Sequence, residues 1–154
     1  APAEIAHRAA ALQSEIRQLH RELEAANAKL SQNVLASLAD RTVVVDGIEL
    51  TAAKIDGNAQ SARTLCDEIK ANHPAAVAVI AAVEGGKLNF AACAGADAVK
   101  RGVHAGKLVG AVAQITGGKG GGRPDGAMAG GVDVSKVEEA LAAARTILCD
   151  MLKK

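Results

Sequence analysis

Gly117-Gly118-Lys119-Gly120-Gly121-Gly122-Arg123-Pro124-Asp125-Gly126-Ala127-Met128-Ala129-Gly130-Gly131 is the stretch around which this 154-residue chain is organised. Glycine loses more backbone entropy on ordering than any other residue. So dense a run survives in a folded domain only where backbone must come close to something. The stretch reads as a loop, not as the interior of a helix or strand. Lys119 and Arg123 project from it, and no carboxylate appears before Asp125. Bare amides carrying two cations describe an anion-binding loop, and phosphate is the anion that such chemistry favours.

Known nucleotide templates do not fit. A P-loop places a glycine, four intervening residues, Gly-Lys and then Ser or Thr; here the outer positions are Ala113 and Gly120. In a dinucleotide fingerprint counted from Gly118 the last glycine falls on Arg123, and the stretch follows a helical pattern where a strand is required. A flexible tether is the bland alternative, but the interleaved Lys119 and Arg123 and the stiffening Pro124 argue against one.

Charge is gathered toward this stretch. The whole chain carries a net charge of +1, but residues 1–84 sum to −3, residues 85–124 to +5 and residues 125–154 to −1. Lys87, Lys100, Arg101, Lys107, Lys119 and Arg123 face Asp97 alone in the middle segment, with His104 among them. That is the footprint of a polyanion-binding face on an otherwise near-neutral protein. Aromatic residues are nearly absent: Phe90 stands alone, in a run that reads as a core strand. Single-strand stacking platforms need rings, whereas recognition of structured RNA by shape and backbone needs cations and amides.

Outward from the glycines, the pattern is that of a long helix followed by an α/β (α+β) globule. Ile5, Leu12, Leu19 and Ala26, interleaved with Ala9, Ile16, Leu23 and Leu30, form a heptad seam over residues 3–38. Such a coiled-coil-like helix either pairs with a partner or lies back on its own domain, and pairing as a two-stranded dimer is the expectation. Residues 42–50 read as a β-branched strand with a turn at Asp46-Gly47, and 53–56 as a second short strand. A helix over 59–72, capped by Asn58 or Ser61, stops at His73-Pro74. Residues 75–83 and 88–94 form an antiparallel pair across Glu84-Gly85-Gly86-Lys87. Helices over 97–101 and 104–116 precede the glycines, with Gly106 and Gly110 permitting close packing, and a helix over 134–152 closes the chain, capped by Asp133 or Ser135. The expected domains are a helical dimerisation segment, 1–40, and a globule, 41–154, built on a sheet of three or four strands.

Catalytic and metal readings are weak. His7 and His20 lie on the mixed-charge face of the long helix, His73 precedes a proline, and no two His or Cys have metal-ligand spacing. Cys66, Cys93 and Cys149 are widely spaced and odd in number, which reads as reduced thiols in a cytoplasmic protein. No apolar run approaches the roughly 18 residues of a membrane-spanning helix. The start at Ala1, without Met and already helical, reads as a piece of something longer.

Lys107-Leu108-Val109, the Gly-Gly-Lys-Gly-Gly-Gly run with Arg-Pro-Asp, then Ala129-Gly130-Gly131 and a closing helix together resemble the C-terminal domain of alanyl-tRNA synthetases, in the DHH-associated domain family. The likeness covers the whole chain and is strongest over residues 85–148. Met128 stands where the family often has Gln. The resemblance implies a parent that ligates alanine to tRNA(Ala) using ATP and Mg, with a zinc-dependent editing domain elsewhere, and no cofactor in this chain. It implies a non-catalytic piece that binds the outer corner of the tRNA, helps aminoacylation and editing share one tRNA, and dimerises through its first helix. The candidate nucleic-acid contacts are Gly117, Gly118, Lys119, Gly120, Gly121, Gly122 and Arg123, with Lys87, Lys100, Arg101, His104 and Lys107 as secondary contacts. The candidate dimer seam is Ile5, Leu12, Ile16, Leu19, Leu23 and Leu30. Two rival readings are the nucleic-acid-binding domain of a DHH-type phosphoesterase, and a purely structural module that dimerises and packs against the other domains of its parent.

Overall fold

The structure is a computed structural model that describes residues 2–153; inside the first helix, the side chains of residues 27, 28, 30–37 and 39 fall outside the description. The chain divides into two units, Ala1–Ser37 and Leu38–Lys154. The first unit is helical: α1 runs Pro2–Ala39. Its apolar seam stands in solvent, with Ile5, Leu12, Ile16, Leu19 and Leu23 all more than half exposed. Glu4 and Arg8, one turn apart, pair at 3.5 Å on the polar face. Of the expected seam, Leu30 lies outside the described residues.

The second unit is a six-stranded mixed sheet in the order β1-β2-β3-β4-β6-β5. β1 (Thr42–Val45) and β2 (Ile48–Asp56) form a hairpin through Asp46-Gly47. Both turn residues have positive φ, 49° and 80°, the mirror-image turn that matches strand twist. The two strands expected over 42–56 are therefore a hairpin whose second strand continues to Asp56. α2 (Ala59–Asn72) begins where the Asn58 carboxamide accepts from the Ser61 amide at 2.9 Å, and it carries the chain to β3 (Ala76–Glu84), parallel to β2. Gly85-Gly86 then turns the chain into β4 (Lys87–Ala94), antiparallel to β3. After α3 (Ala96–Lys100) and α4 (Ala105–Ile115) come β5 (Lys119–Gly122) and β6 (Gly126–Gly131). A single turn of 3-10 helix, Val134–Lys136, capped by Asp133, leads into α5 (Val137–Leu152).

Alternation sorts the core. Val77, Val79 and Ala81 of β3, with Phe90 and Ala92 of β4, share one buried cluster with Leu108 and Val112 of α4 and Ala144 and Leu148 of α5. The intervening residues, Ala78 and Ile80 of β3 with Ala91 and Cys93 of β4, are buried on the opposite face, where α2 packs on β3 and β4. β3 is covered on both faces, which is why it reads as an unbroken apolar run.

One expectation fails. The glycine stretch is not a loop: it is the β5–β6 hairpin, and with it the sheet has six strands where three or four were expected. The physical reason lies in what side chains would meet. A Cβ on Gly120 would overlap the Ala129 methyl, and one on Gly122 would come within 2.7 Å of the Ala127 Cβ. From α4, a Cβ on Gly106 would run into the Gly122 carbonyl, and one on Gly110 would sit 3.1 Å from the Gly120 oxygen. Helix and edge strand approach backbone to backbone, so the close packing expected of Gly106 and Gly110 is present and its partner is β5. The opposite face of the hairpin is different: a Cβ at Gly121, Gly126 or Gly130 would meet nothing within 4 Å.

Two classes of glycine should therefore behave differently on substitution. Gly120→Ala and Gly106→Ala should each lower stability by roughly 1–3 kcal/mol, the usual cost of overpacking, whereas Gly121→Ala should stay within about 0.5 kcal/mol of the parent. Urea midpoints of the three variants measure this, and equal midpoints would remove the packing account.

Candidate nucleic-acid interface

The hairpin tip, Arg123-Pro124-Asp125, is held by backbone from three sides. The first amides of α4 donate to it, Ala105 N to the Pro124 carbonyl at 2.9 Å and Gly106 N to the Arg123 carbonyl at 3.2 Å. Ala94 N, at the end of β4, donates to the Asp125 carbonyl, and Arg123 N closes the turn on the Gly126 carbonyl, both at 3.2 Å. At the other end of β5, Gly118 N donates to the Ala113 carbonyl at 2.8 Å. The expected cradle of free amides is thus partly consumed by the fold: Gly118 and Arg123 donate within the chain, and β5 pairs with β6 along one of its two edges. What remains to meet an anion is a set of cations around a thin backbone surface.

Three clefts open around the hairpin. The first, about 310 Å³, has α2 as its wall and β4, β6 and β5 as its floor; it is lined by Arg63, Asp67 and Lys70 of α2, and by Gly121, Gly122, Arg123, Asp125, Gly126 and Met128. The second, about 610 Å³, lies beyond Pro124 and has apolar walls of Val99, Val103, Ile147 and Met151, with Arg101, His104, Lys107 and Asp150 beside them. The third, about 440 Å³, follows the outer edge of β5 past Gly110, Gln114, Gly117, Gly118, Lys119 and Gly120. The predicted residues are therefore shared among clefts: Arg123 with Gly121 and Gly122 in the first, Arg101, His104 and Lys107 in the second, Lys119 with the remaining glycines in the third.

Several of those cations already have structural work. Arg101 donates from Nη1 to the Asp46 carbonyl at 2.8 Å, latching the end of α3 to the β1–β2 turn. His104 is the N-cap of α4, its Nδ1 accepting from the Lys107 amide at 3.2 Å. Lys100 pairs with Asp97 at 3.8 Å. Lys87 opposes Glu84 at the β3–β4 turn, beside Leu88 and Gly131 and so at the far end of the hairpin from Arg123. Phe90 is fully buried and offers no ring to a base.

The sequence reading missed Arg63 and Lys70. They belong to the acidic first half of the chain, and a charge tally by segment hides them. Helical spacing was the available signal: positions 63, 67 and 70 of α2 share a face. Lys70 is also the tie between α2 and the hairpin tip, with its Nζ 2.7 Å from Asp125 Oδ2. That hydrogen bond holds the Asp125 carboxyl below its ordinary range. Among the described residues, no three His, Cys, Asp or Glu side chains gather as metal ligands would, and no helix is long and apolar enough to cross a membrane.

A carboxylate with a lowered pKa adds stability above its ordinary value of about 3.9, and that stability is lost as pH falls through the folded value. Because both partners are partly solvent-exposed, the pair is worth about 0.2–1 kcal/mol. Lys70→Met should therefore lower the urea midpoint at pH 7 and make little difference near pH 2. A gap between the two chains that does not narrow in acid would show that Lys70 stabilises by packing alone.

Comparison with known proteins agrees with this architecture. Residues 40–150 match the model of the DHHA1 domain. The alanine–tRNA ligase of Bacillus subtilis is 43% identical over 140 residues, covering 90% of this chain and 16% of the relative; that of Bacillus pumilus is 40% identical over 139 residues, with the same coverage. The chain thus spans about a sixth of the length of these relatives. The C-Ala domain of Aquifex aeolicus alanyl-tRNA synthetase superposes with a TM-score of 0.65 and 27% identity, over 70% of this chain and 97% of that one. A DHH-domain member of the s1p family of ribosomal proteins shares the fold, with a TM-score of 0.53 and 16% identity over 80% of this chain and 31% of that one. The chain belongs to the DHHA1 domain family and, in sequence and in fold, groups with the C-terminal domain of alanyl-tRNA synthetases.

Proposed function

We propose that this chain is a non-catalytic tRNA-binding and dimerisation module of an alanyl-tRNA synthetase. It takes the outer corner of tRNA(Ala) on its glycine hairpin, so that aminoacylation and editing elsewhere in the parent act on one tRNA. The observation that carries the reading is the open face of that hairpin. Gly121, Gly126 and Gly130 have space above them that no residue of the described chain fills, so internal packing gives no reason for glycine there. Close approach of a partner does. Arg123, Lys70 and Arg63 line the cleft beside this face, and Lys119 stands at the start of β5. Cations around a flat backbone surface suit a folded RNA recognised by shape and phosphate.

Within this reading Arg123 and Lys119 are the principal contacts and Lys107 a secondary one. Arg63 and Lys70 join them. Arg101 and His104 act mainly by holding the turn and helix that shape the second cleft. The exposed seam of α1 serves dimerisation, since a heptad stripe of Ile and Leu left in water gains roughly 25 cal/mol for each Å² of apolar surface it buries against a partner. The cytoplasm, where tRNA is charged, is the compartment that goes with this function.

Lys119→Ala with Arg123→Ala should weaken tRNA binding about tenfold or more and reduce the slope of log affinity against log salt by about 2. Gly121→Leu, which the fold can house, should weaken binding with no loss of stability. An unchanged salt titration for the first variant together with unchanged affinity for the second would remove the hairpin from the interface. Leu12→Lys with Leu19→Lys should convert a dimer to a monomer in sedimentation equilibrium; a parent chain that sediments as a monomer would refute the dimer.

A further inference from the structure

Cys66 and Cys93 come together at the base of the first cleft, where α2 crosses β4. The Cys93 thiol donates to the Cys66 carbonyl at 3.0 Å, so the two residues adjoin. Both side chains are buried, at 1% and 3% exposure, yet both line the cleft floor beside Lys70 and Arg63. The third thiol, Cys149, is on α5, which packs with the core on the opposite face of the sheet. Neighbouring positions of these elements are filled by alanine, among them Ala62 on α2 and Ala91 and Ala92 on β4. Small apolar volume alone does not call for two cysteines side by side at the floor of a cleft.

We propose that Cys66 and Cys93 are a dithiol oxidation site, converted by a peroxide into a reversible disulfide that ties α2 to β4. The step balances with hydrogen peroxide as the oxidant. The Cys93 sulfur attacks one peroxide oxygen, the O–O bond breaks, and Cys93 becomes a sulfenic acid with release of water. The Cys66 sulfur then attacks the Cys93 sulfur, the S–O bond breaks, and the thiol proton leaves with hydroxide as a second water. The directions of the two thiols agree with these roles: a hydrogen bond from Cys66 lowers Cys93 from its ordinary value, and the same bond with burial raises Cys66. The bond would fix the wall that carries Arg63 and Lys70 against the floor of the same cleft.

The test uses the Cys149→Ala chain, folded and otherwise complete, so that only these two thiols remain. A few-fold excess of hydrogen peroxide should lower its intact mass by two hydrogens and abolish both free thiols. Dithiothreitol should restore them, and digestion should yield one linked peptide containing residues 66 and 93. In the Cys149→Ala/Cys66→Ala chain, where alanine suits the core, the sulfenic acid should persist on Cys93 and be trapped by dimedone. An unchanged mass in the first chain, or added oxygen without the linked peptide, would overturn the proposal. So would a second chain in which dimedone never labels Cys93.

Discussion

The contact on which the globule depends is the backbone-to-backbone approach of α4 and the β5–β6 hairpin. Gly106 and Gly110 on the helix face Gly122 and Gly120 on the strand; a Cβ on Gly106 would have no room, and one on Gly110 would be tight at 3.1 Å. That approach seats α4 on β5 at Gly120 and Gly122. It also lets the first amides of α4 close onto the carbonyls of Arg123 and Pro124, so helix N-terminus and hairpin tip satisfy one another. With that contact in place, the hairpin's other face is held flat and open.

The rest of the core suits such close packing. With Phe90 the only ring, the sheet and its helices meet through Ala, Val, Leu and Ile, and the layers lie near one another because the side chains between them are short. Glycine in the hairpin carries the same economy of volume to its limit. On one face this yields contact with α4. On the other it yields an open surface on which Gly121, Gly126 and Gly130 leave Met128 standing among bare backbone, bordered by charges from α2 and the tip. One composition thus serves packing and recognition on opposite faces of two strands.

Much of the chain was legible beforehand because its signals are local. The helical period in residues 3–38, the Asn58 cap, the stop at His73-Pro74 and the Gly85-Gly86 turn each depend on neighbours a few residues away, and each has the local structure it announces. The glycine hairpin was illegible for a matching reason. A strand is recognised by alternating side chains, and Gly120-Gly121-Gly122 has none to alternate. The same limit applied to the site: a tally of charge along the chain cannot see that Arg63 and Lys70 of an acidic segment stand beside Arg123, or that Arg101 turns away to bind the Asp46 carbonyl.

The sequence by itself determined the helices, the strands before the glycine stretch, the family resemblance and the concentration of glycine and positive charge around residues 117–131, because periodicity, turn chemistry and composition are properties of neighbours. Tertiary structure alone decided that the glycines are strands, that the predicted cations divide among three clefts, that Lys70 reaches Asp125, and that Cys66 meets Cys93. Each of these joins residues on separate elements, most of them far apart along the chain. Only the packing of helices on the sheet brings such residues within bonding distance.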